Sequence, residues 1–502
     1  MRNFYFRPVA ALLATVAILP AFAADSKSFV VDGLSYTAVS DSTAMIIFDK
    51  SYEELTSVIV PQSINYDGKT YAVTQLDDDC FNRCEKIKTV TLPSTIAEMG
   101  KSAFSGCYAL ESVNLGDTRI TEIPSACFSA CRKLQSITIP ATVTSIYRNP
   151  FVQNLELKSI NVEEGNPSFK SIEGVLFSIS GKTLQAYPCG KATTYVVPEG
   201  TDSIGVEAFN TDQVLASLTL AASVSFIGSS AFLYCDQMTS LVIPEESRLR
   251  EIGMSAFSSC KKLTGHLALP ETLTTISSNA FMKTSITGVT IQPGVTSIGT
   301  NAFSACVNLS KLEIKGETLT SIGDGAFADA GITELVIPNS VIKVGMTAFS
   351  GCKRMAKMTI GTGLGVIQLR VFDKCSALKE VVCLNPEPPV CQITDRYPLF
   401  PAAVFSSAVL KVPSGSVDAY KTADSWKNFT TIEADNSGIK TVGSADDPIR
   451  ICSDGIMTDA SYVEIHTISG QTVYKGDGGH IALYAKGIYV VRADGRTYKV
   501  AF

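Results

Sequence analysis

Fourteen cysteines and three histidines are the residues of this 502-residue chain that could hold a metal, form a cross-link or attack a substrate. Cys80/Cys84 and Cys127/Cys131 are two i, i+4 pairs, a helical spacing that can put two thiolates on one ion. Cys383 and Cys391 bracket a short proline-rich stretch and are the one pair to consider for a disulfide. His266 stands in "GHLALP", and His466 and His480 lie near the C-terminus, none beside a nucleophile signature. No H-E-x-x-H and no phosphate-cradling glycine loop is present. The paired carboxylates Glu163-Glu164 and Glu245-Glu246 adjoin turns, where solvated charge is the default.

What positions these residues is a repeat. Phenylalanine recurs at 81, 104, 128, 151, 209, 232, 257, 281, 303, 327, 349 and 372, at gaps of 22 to 25 residues save one of 58. Five residues before each lies an aliphatic residue or Met, and directly before lies Ala in eight cases. Eight cysteines fall three residues after the column: Cys84, Cys107, Cys131, Cys235, Cys260, Cys306, Cys352 and Cys375. Asn154, Asp212, Thr284 and Ala330 fill the same place in the other coils. A slot that accepts Cys, Thr, Asn and Ala asks for a small, partly polar group. The column cysteines are therefore expected as buried free thiols, stacked side by side instead of converging as a disulfide requires. Metal is not expected at the i, i+4 pairs.

Between the phenylalanines run segments such as "LQSITIP" (134–140) and "ITELVIP" (332–338), alternating apolar residues closed by proline. Each predicts a short strand. One strand per coil cannot bury its inner face alone, so the coils must stack into a long parallel sheet. Glycine four residues before Phe, in seven of twelve coils, predicts a tight turn. The Ala-Phe segment after it predicts a short helix or 3₁₀ turn.

The recurring "L-x-x-V-x-I-P-x-x-V-x-x-I-G-x-x-A-F-x-x-C" resembles the BspA-like leucine-rich repeat of bacterial surface proteins, over about residues 72 to 385. The resemblance implies an α/β solenoid: a parallel sheet on the concave face and short helical turns on the convex side. Within it, 163–188 resembles a variant coil in which a hairpin replaces one Ala-Phe turn. The expected organisation is a signal peptide (1–23), a β-rich N-terminal cap (24–71), repeats (72–409), a capping element (410–436) and a small all-β domain (437–502). The capping element holds the only tryptophan, Trp426, read as plugging the last coil. The last segment resembles the sorting domain of the type IX secretion pathway, with hairpin turns at Ser469-Gly470 and Asp494-Gly495.

Arg2 and Arg7, an apolar run and Ala21-Phe22-Ala23 form the signal-peptide pattern, with no cysteine after the cut. No later stretch approaches the roughly 20 apolar residues of a membrane-spanning helix. The net charge of −6 is spread out, with no basic block for nucleic acid. The outward strand residues form a carpet of Ser, Thr and Asn in the first half and alternate in charge in the last coils, without an aromatic. The ligand-binding candidates on this face are His266, Lys311, Glu313, Glu334, Lys357, Thr359 and Glu380. The resemblance implies an exported, monomeric protein that binds extracellular proteins or cell-surface macromolecules. It implies neither enzyme activity nor a cofactor. A glycan-binding or glycan-uptake accessory and a scaffold without a ligand of its own stand as alternatives.

Overall fold

The computed structural model describes residues 28–394, 396–435, 439–441, 449–452, 455–467, 470–483 and 488–501. The expected signal peptide, Ser469 and most of 436–448 lie outside the described residues. The N-terminal strands Phe29–Val31, Leu34–Ala38, Thr43–Ile46, Ser63–Tyr66 and Lys69–Leu76 form one sheet, which continues into the first short strand of the array, Glu98–Met99.

The repeats make a solenoid with two parallel ladders, not one. The first contains the predicted strands, sixteen from Ser57–Ile59 to Thr431–Ala434, with alternating burial as in Glu334–Ile337. The second consists of two-residue strands such as Ser297–Ile298, whose second residue is the aliphatic position five before Phe. These were too short to announce themselves by alternation.

The Ala-Phe segments, expected as a short helix or 3₁₀ turn, keep the i→i−3 bonds of the second alternative but do not form a continuous helix. Each is a run of turns that bonds to the next coil. Asn301, Phe303 and Ala305 send their N–H groups to Asp324, Ala326 and Ala328, while Ala302, Ser304 and Cys306 close i→i−3 turns within the coil. A helix would direct every N–H along its own axis and leave none for a neighbour. The alternation needs left-handed residues, and the second residue after Phe has positive φ in all twelve coils, from Arg83 to Lys374. A left-handed non-glycine residue costs roughly 1–2 kcal/mol, offset here by a ladder bond at each coil.

The glycines four before Phe do not serve a left-handed turn. They allow close approach: a Cβ on Gly299 would stand 2.5 Å from Ser278 N, and one on Gly323 2.7 Å from Gly299 C. The N–H at this position bonds to the preceding coil's aliphatic residue, as Gly299 to Ile276 O and Gly323 to Ile298 O at 2.8 Å.

Inside, the phenylalanines stack, with centroids 4.6 to 6.0 Å apart from Phe81 to Phe151 and from Phe209 to Phe400. Tyr52 closes one end, 5.3 Å from Phe81. At the other, Trp426 is fully buried, edge-on to Phe400, and its Nε1 donates to Pro389 O at 2.9 Å. In the 58-residue interval the strands Phe169–Ile172, Val175–Ser178 and Thr183–Ala186 form an antiparallel meander. Tyr187 then takes the missing phenylalanine's place, donating its N–H to Ala208 O and stacking on Phe209 at 4.6 Å.

The column cysteines are free and buried, and their thiols have an ordered partner. Each of Cys107, Cys131, Cys235, Cys260, Cys306, Cys352 and Cys375 donates S–H to the carbonyl of the preceding coil's phenylalanine, at 3.0 to 3.3 Å. Where Thr284 replaces cysteine, its hydroxyl bonds its own coil's Phe281 O. Cys383 and Cys391 are also free thiols, and Cys383 Sγ instead accepts from Tyr420 OH at 3.1 Å.

The C-terminal strands have a core of their own, including Val463, Ile465, Val491 and Tyr498. Asp494 and Gly495, with φ of 46° and 75°, make the predicted two-residue hairpin turn between Ile488–Ala493 and Arg496–Ala501.

Burial raises the thiol pKa values, to about 11 for Cys306 and about 12 for Cys84 and Cys352. In native protein at pH 8 these thiols should resist iodoacetamide for hours and react within minutes in denaturant, followed by intact mass. Rapid native labelling of Cys306 would contradict the buried ladder. Phe303→Ala should cost about 3–5 kcal/mol in chemical denaturation.

Candidate functional site

Parallel register brings outward residues of successive coils into columns. One column holds His266, Gly288 and Lys311, and the adjacent one Ala268, Thr290 and Glu313. A Cβ on Gly288 would stand 2.5 Å from His266 Nδ1, so this glycine makes room for the imidazole to lie along the sheet. His266 Nε2 and Thr290 Oγ1 are 3.0 Å apart, and Thr290 Oγ1 donates to Glu313 Oε2 at 3.2 Å. Lys311 is exposed and makes no ion pair among the described residues.

A second column holds Glu334, Lys357 and Glu380. Lys357 Nζ lies 3.9 Å from Glu334 and 3.1 Å from Glu380, whose other oxygen is 2.6 Å from Lys411. Lys411 and then Lys357 hold the Glu380 carboxyl below its usual range. Thr359, half-buried, lies between Val336 and Val382. The strands Lys311–Ile314 and Glu334–Ile337 are not hydrogen-bonded to each other, so the candidate residues form two clusters instead of one. Lys411 was absent from the predicted set; its "LKVP" carries the same strand pattern as the repeats and continues the ladder past them. Exposed Val196, Val242 and Val336 interrupt the polar carpet.

A polar cluster that sequence reasoning passed over lies at the 58-residue interval. Asp212 replaces the column cysteine and is fully buried. Its Oδ1 accepts the N–H groups of Val214 and Leu215 at 2.8 and 2.7 Å. Its Oδ2 has no partner among the described residues, nor do Tyr187 OH, Asn154 Nδ2 and Asn210 Oδ1. Tyr187, Cys189 and Cys235 are the titratable groups that feel its charge. Desolvation lifts the Asp212 carboxyl to about 7, against the two N–H bonds. A pKa near neutrality suits acid–base work, but full burial denies this group a substrate. The departure from cysteine at position 212 was the one sequence signal available.

The family model for the BspA type leucine rich repeat region matches residues 47–184, 184–310 and 296–390, in six copies. No curated protein is similar at a significant level. Among solved structures, a leucine-rich repeat protein from Bacteroides ovatus is 19% identical, covering 81% of this chain and 100% of its own, with a TM-score of 0.40. One from Eubacterium ventriosum is 18% identical over 70% of this chain and 90% of its own, at 0.42. A leucine rich cell surface protein from Faecalibacterium prausnitzii is 21% identical over 58% and 95%, at 0.38.

The Asp212 environment sets a pH dependence. Its carboxyl is raised from 3.8 in the unfolded chain to about 7. The native state therefore holds a proton that the unfolded state has lost between these values. This group's contribution is intact below pH 3.8 and falls away as pH rises to about 7. Asp212→Asn keeps the two N–H bonds without the charge. It should match wild type in urea unfolding near pH 4 and exceed it at pH 8, by at most about 4 kcal/mol. Equal stability at both pH values would refute the raised pKa.

Proposed function

This chain belongs to the BspA-type leucine-rich repeat family, and from that premise we propose that it is an exported scaffold that binds extracellular macromolecules along its strand face. Members of the family are surface proteins of the kind that mediate protein–protein interactions. No described helix is long and apolar enough to cross a membrane. The protein is displayed on the cell surface or secreted, as the N-terminal apolar segment suggests, and works as a monomer. Its C-terminal all-β segment acts in sorting or anchoring.

The observation that carries the binding role is the succession of sixteen strands with one exposed face, backed by ring stacks from Phe81 to Phe151 and from Tyr187 to Phe400. Such a face offers many weak contacts in fixed register. Its partner is a protein and not a polyanion, because the charges alternate: Glu334, Lys357, Glu380 and Lys411 pair with one another. Asp212, the acid raised to about 7, is sealed in the core and offers a substrate no access. A partner on this face must displace or extend the ion-pair ladder, so its charged residues set register and association rate more than affinity.

The mature chain, used as bait against host extracellular proteins, should capture a saturable partner. Replacing Lys311, Glu313, Glu334 and Lys357 together by Ala should weaken that partner by about tenfold or more, a loss of about 1.4 kcal/mol, with the thermal transition retained. Undiminished affinity would move the site off this face. Removing residues 437–502 should change the fraction of protein held at the cell surface; an unchanged distribution would refute a sorting role.

A further inference from the structure

The short-strand ladder opens at one place for a chemical reason. In ten of the twelve coils the N–H four residues before Phe bonds to the preceding coil, among them Gly100 to Leu76 O and Tyr147 to Ile123 O. In the coil of Phe128 this position is Pro124, which has no N–H to offer Met99 O. No hydrogen bond joins the strands Glu98–Met99 and Glu122–Ile123, although each pairs with its other neighbour. Farther on, the turns of the same two coils remain bonded, Phe104 N to Cys127 O at 2.9 Å. The coils are thus held together at the turn and parted at the short strands. The ladder also opens after Ser145–Ile146, where the antiparallel meander intervenes, and before Val366–Ile367, where Gln368 holds the position.

The parting is a groove. A cavity of about 520 Å³ has a lining that includes Asp78, Met99, Lys101, Glu122, Tyr147 and Arg148, and a second of about 340 Å³ adjoins it through Met99 and Glu122. The first falls within the size range of about 300–1,000 Å³ usual for small-ligand sites. Tyr147 occupies the column where most coils have glycine and is 50% exposed. It gives the groove an aromatic wall that the strand face lacks. Glu98, Glu122 and Lys101 are exposed and in no ion pair among the described residues, whereas Arg148 is held 3.1 Å from Glu207. The missing ladder bonds leave the carbonyl of Met99 and the N–H of Thr121 without backbone partners among the described residues.

We propose that this groove is a subsite for one or two residues of a neutral, hydroxyl-rich glycan. Each sugar hydroxyl both donates and accepts. It meets the acceptors Glu98, Glu122 and Met99 O together with the donors Lys101 Nζ and Thr121 N–H, while a pyranose C–H face lies on the Tyr147 ring. A simple amine would leave both donors unanswered. An acidic sugar would face three carboxylates against one free ammonium. A metal ion finds no group of three acidic, histidine or cysteine ligands close enough among the described residues. The site is independent of the strand-face reading, because none of its residues lies on that face.

The test is saturation-transfer NMR and calorimetric titration of the mature chain with maltotetraose, mannotetraose, tetraacetylchitotetraose and 3′-sialyllactose. At least one neutral probe should bind, with transfer strongest to ring C–H protons, and sialyllactose should bind least. Tyr147→Ala should weaken the bound probe by about tenfold, and Tyr147→Phe should change it little. Pro124→Gly restores the absent N–H, so it should close the groove, abolish binding and raise the thermal midpoint. Glu122→Gln, an exposed change, gives a second reading if Tyr147→Ala loses its thermal transition, and should also weaken binding. Failure of all three neutral probes to bind wild type overturns the proposal. So does binding that survives both Pro124→Gly and Glu122→Gln undiminished. Neither result bears on partner capture by the strand face.

Discussion

The distance between successive coils governs this molecule. Backbone hydrogen bonds fix it at about one strand spacing, and every interior position must be satisfied within that interval. The phenylalanine rings stack at it, 5.2 Å apart between Phe257 and Phe281 and again between Phe303 and Phe327. Ala before Phe is small enough not to exceed it. Glycine at 299 or 323 is needed because a Cβ would enter the neighbouring backbone. The thiol of Cys352 bridges it to Phe327 O at 3.3 Å. A thiol suits that place because it is nearly apolar yet has one weak donor. The carbonyl it meets already accepts the turn bond of its own coil, from Ala330 N at 3.1 Å, and has a second lone pair to offer.

Much of this was legible because identical demands recur. The Phe, aliphatic and Cys columns could be read by alignment of the chain with itself, and the substitutions within a column revealed what the site tolerates. The cysteine slot read as small and partly polar is what the S–H bonds require. The turn ladder was not legible. Its left-handed positions hold Arg83, Gln153, Tyr234 and Lys283 as readily as glycine, so the residue types carry no signal; tertiary hydrogen bonds impose the conformation. The second ladder hid because two residues per strand cannot show alternation. The strand-face candidates were placed correctly outward, but their grouping was not foreseeable. It depends on which neighbouring strands pair, and the ladder lapses between Ile314 and Glu334.

Departures from a column therefore carry more information than the column. Asp212 in the cysteine column brings a buried carboxyl with one oxygen unmatched, next to the interval where Tyr187 stands in for phenylalanine. Pro124 in the glycine column deletes a donor, and Tyr147 in the same column adds a ring. The first change stays sealed within the core and acts on stability. The second opens outward and acts on access.

Charge on the strand face obeys a different logic. Glu334, Lys357, Glu380 and Lys411 are already matched to one another, at separations from 3.9 to 2.6 Å. Partly exposed pairs of this kind contribute little, about 0–1 kcal/mol each, and any partner that recruits them must first replace an existing contact. Their net worth to binding is a difference between two similar terms. Groups left unmatched by the fold face no such exchange. Lys311 on the strand face, and Glu98, Glu122, Lys101 and the Met99 carbonyl at the parted strands, enter a complex from water alone. In a solenoid whose coils are paired along most of their turns and strands, recognition falls to the places where the repeat fails to pair.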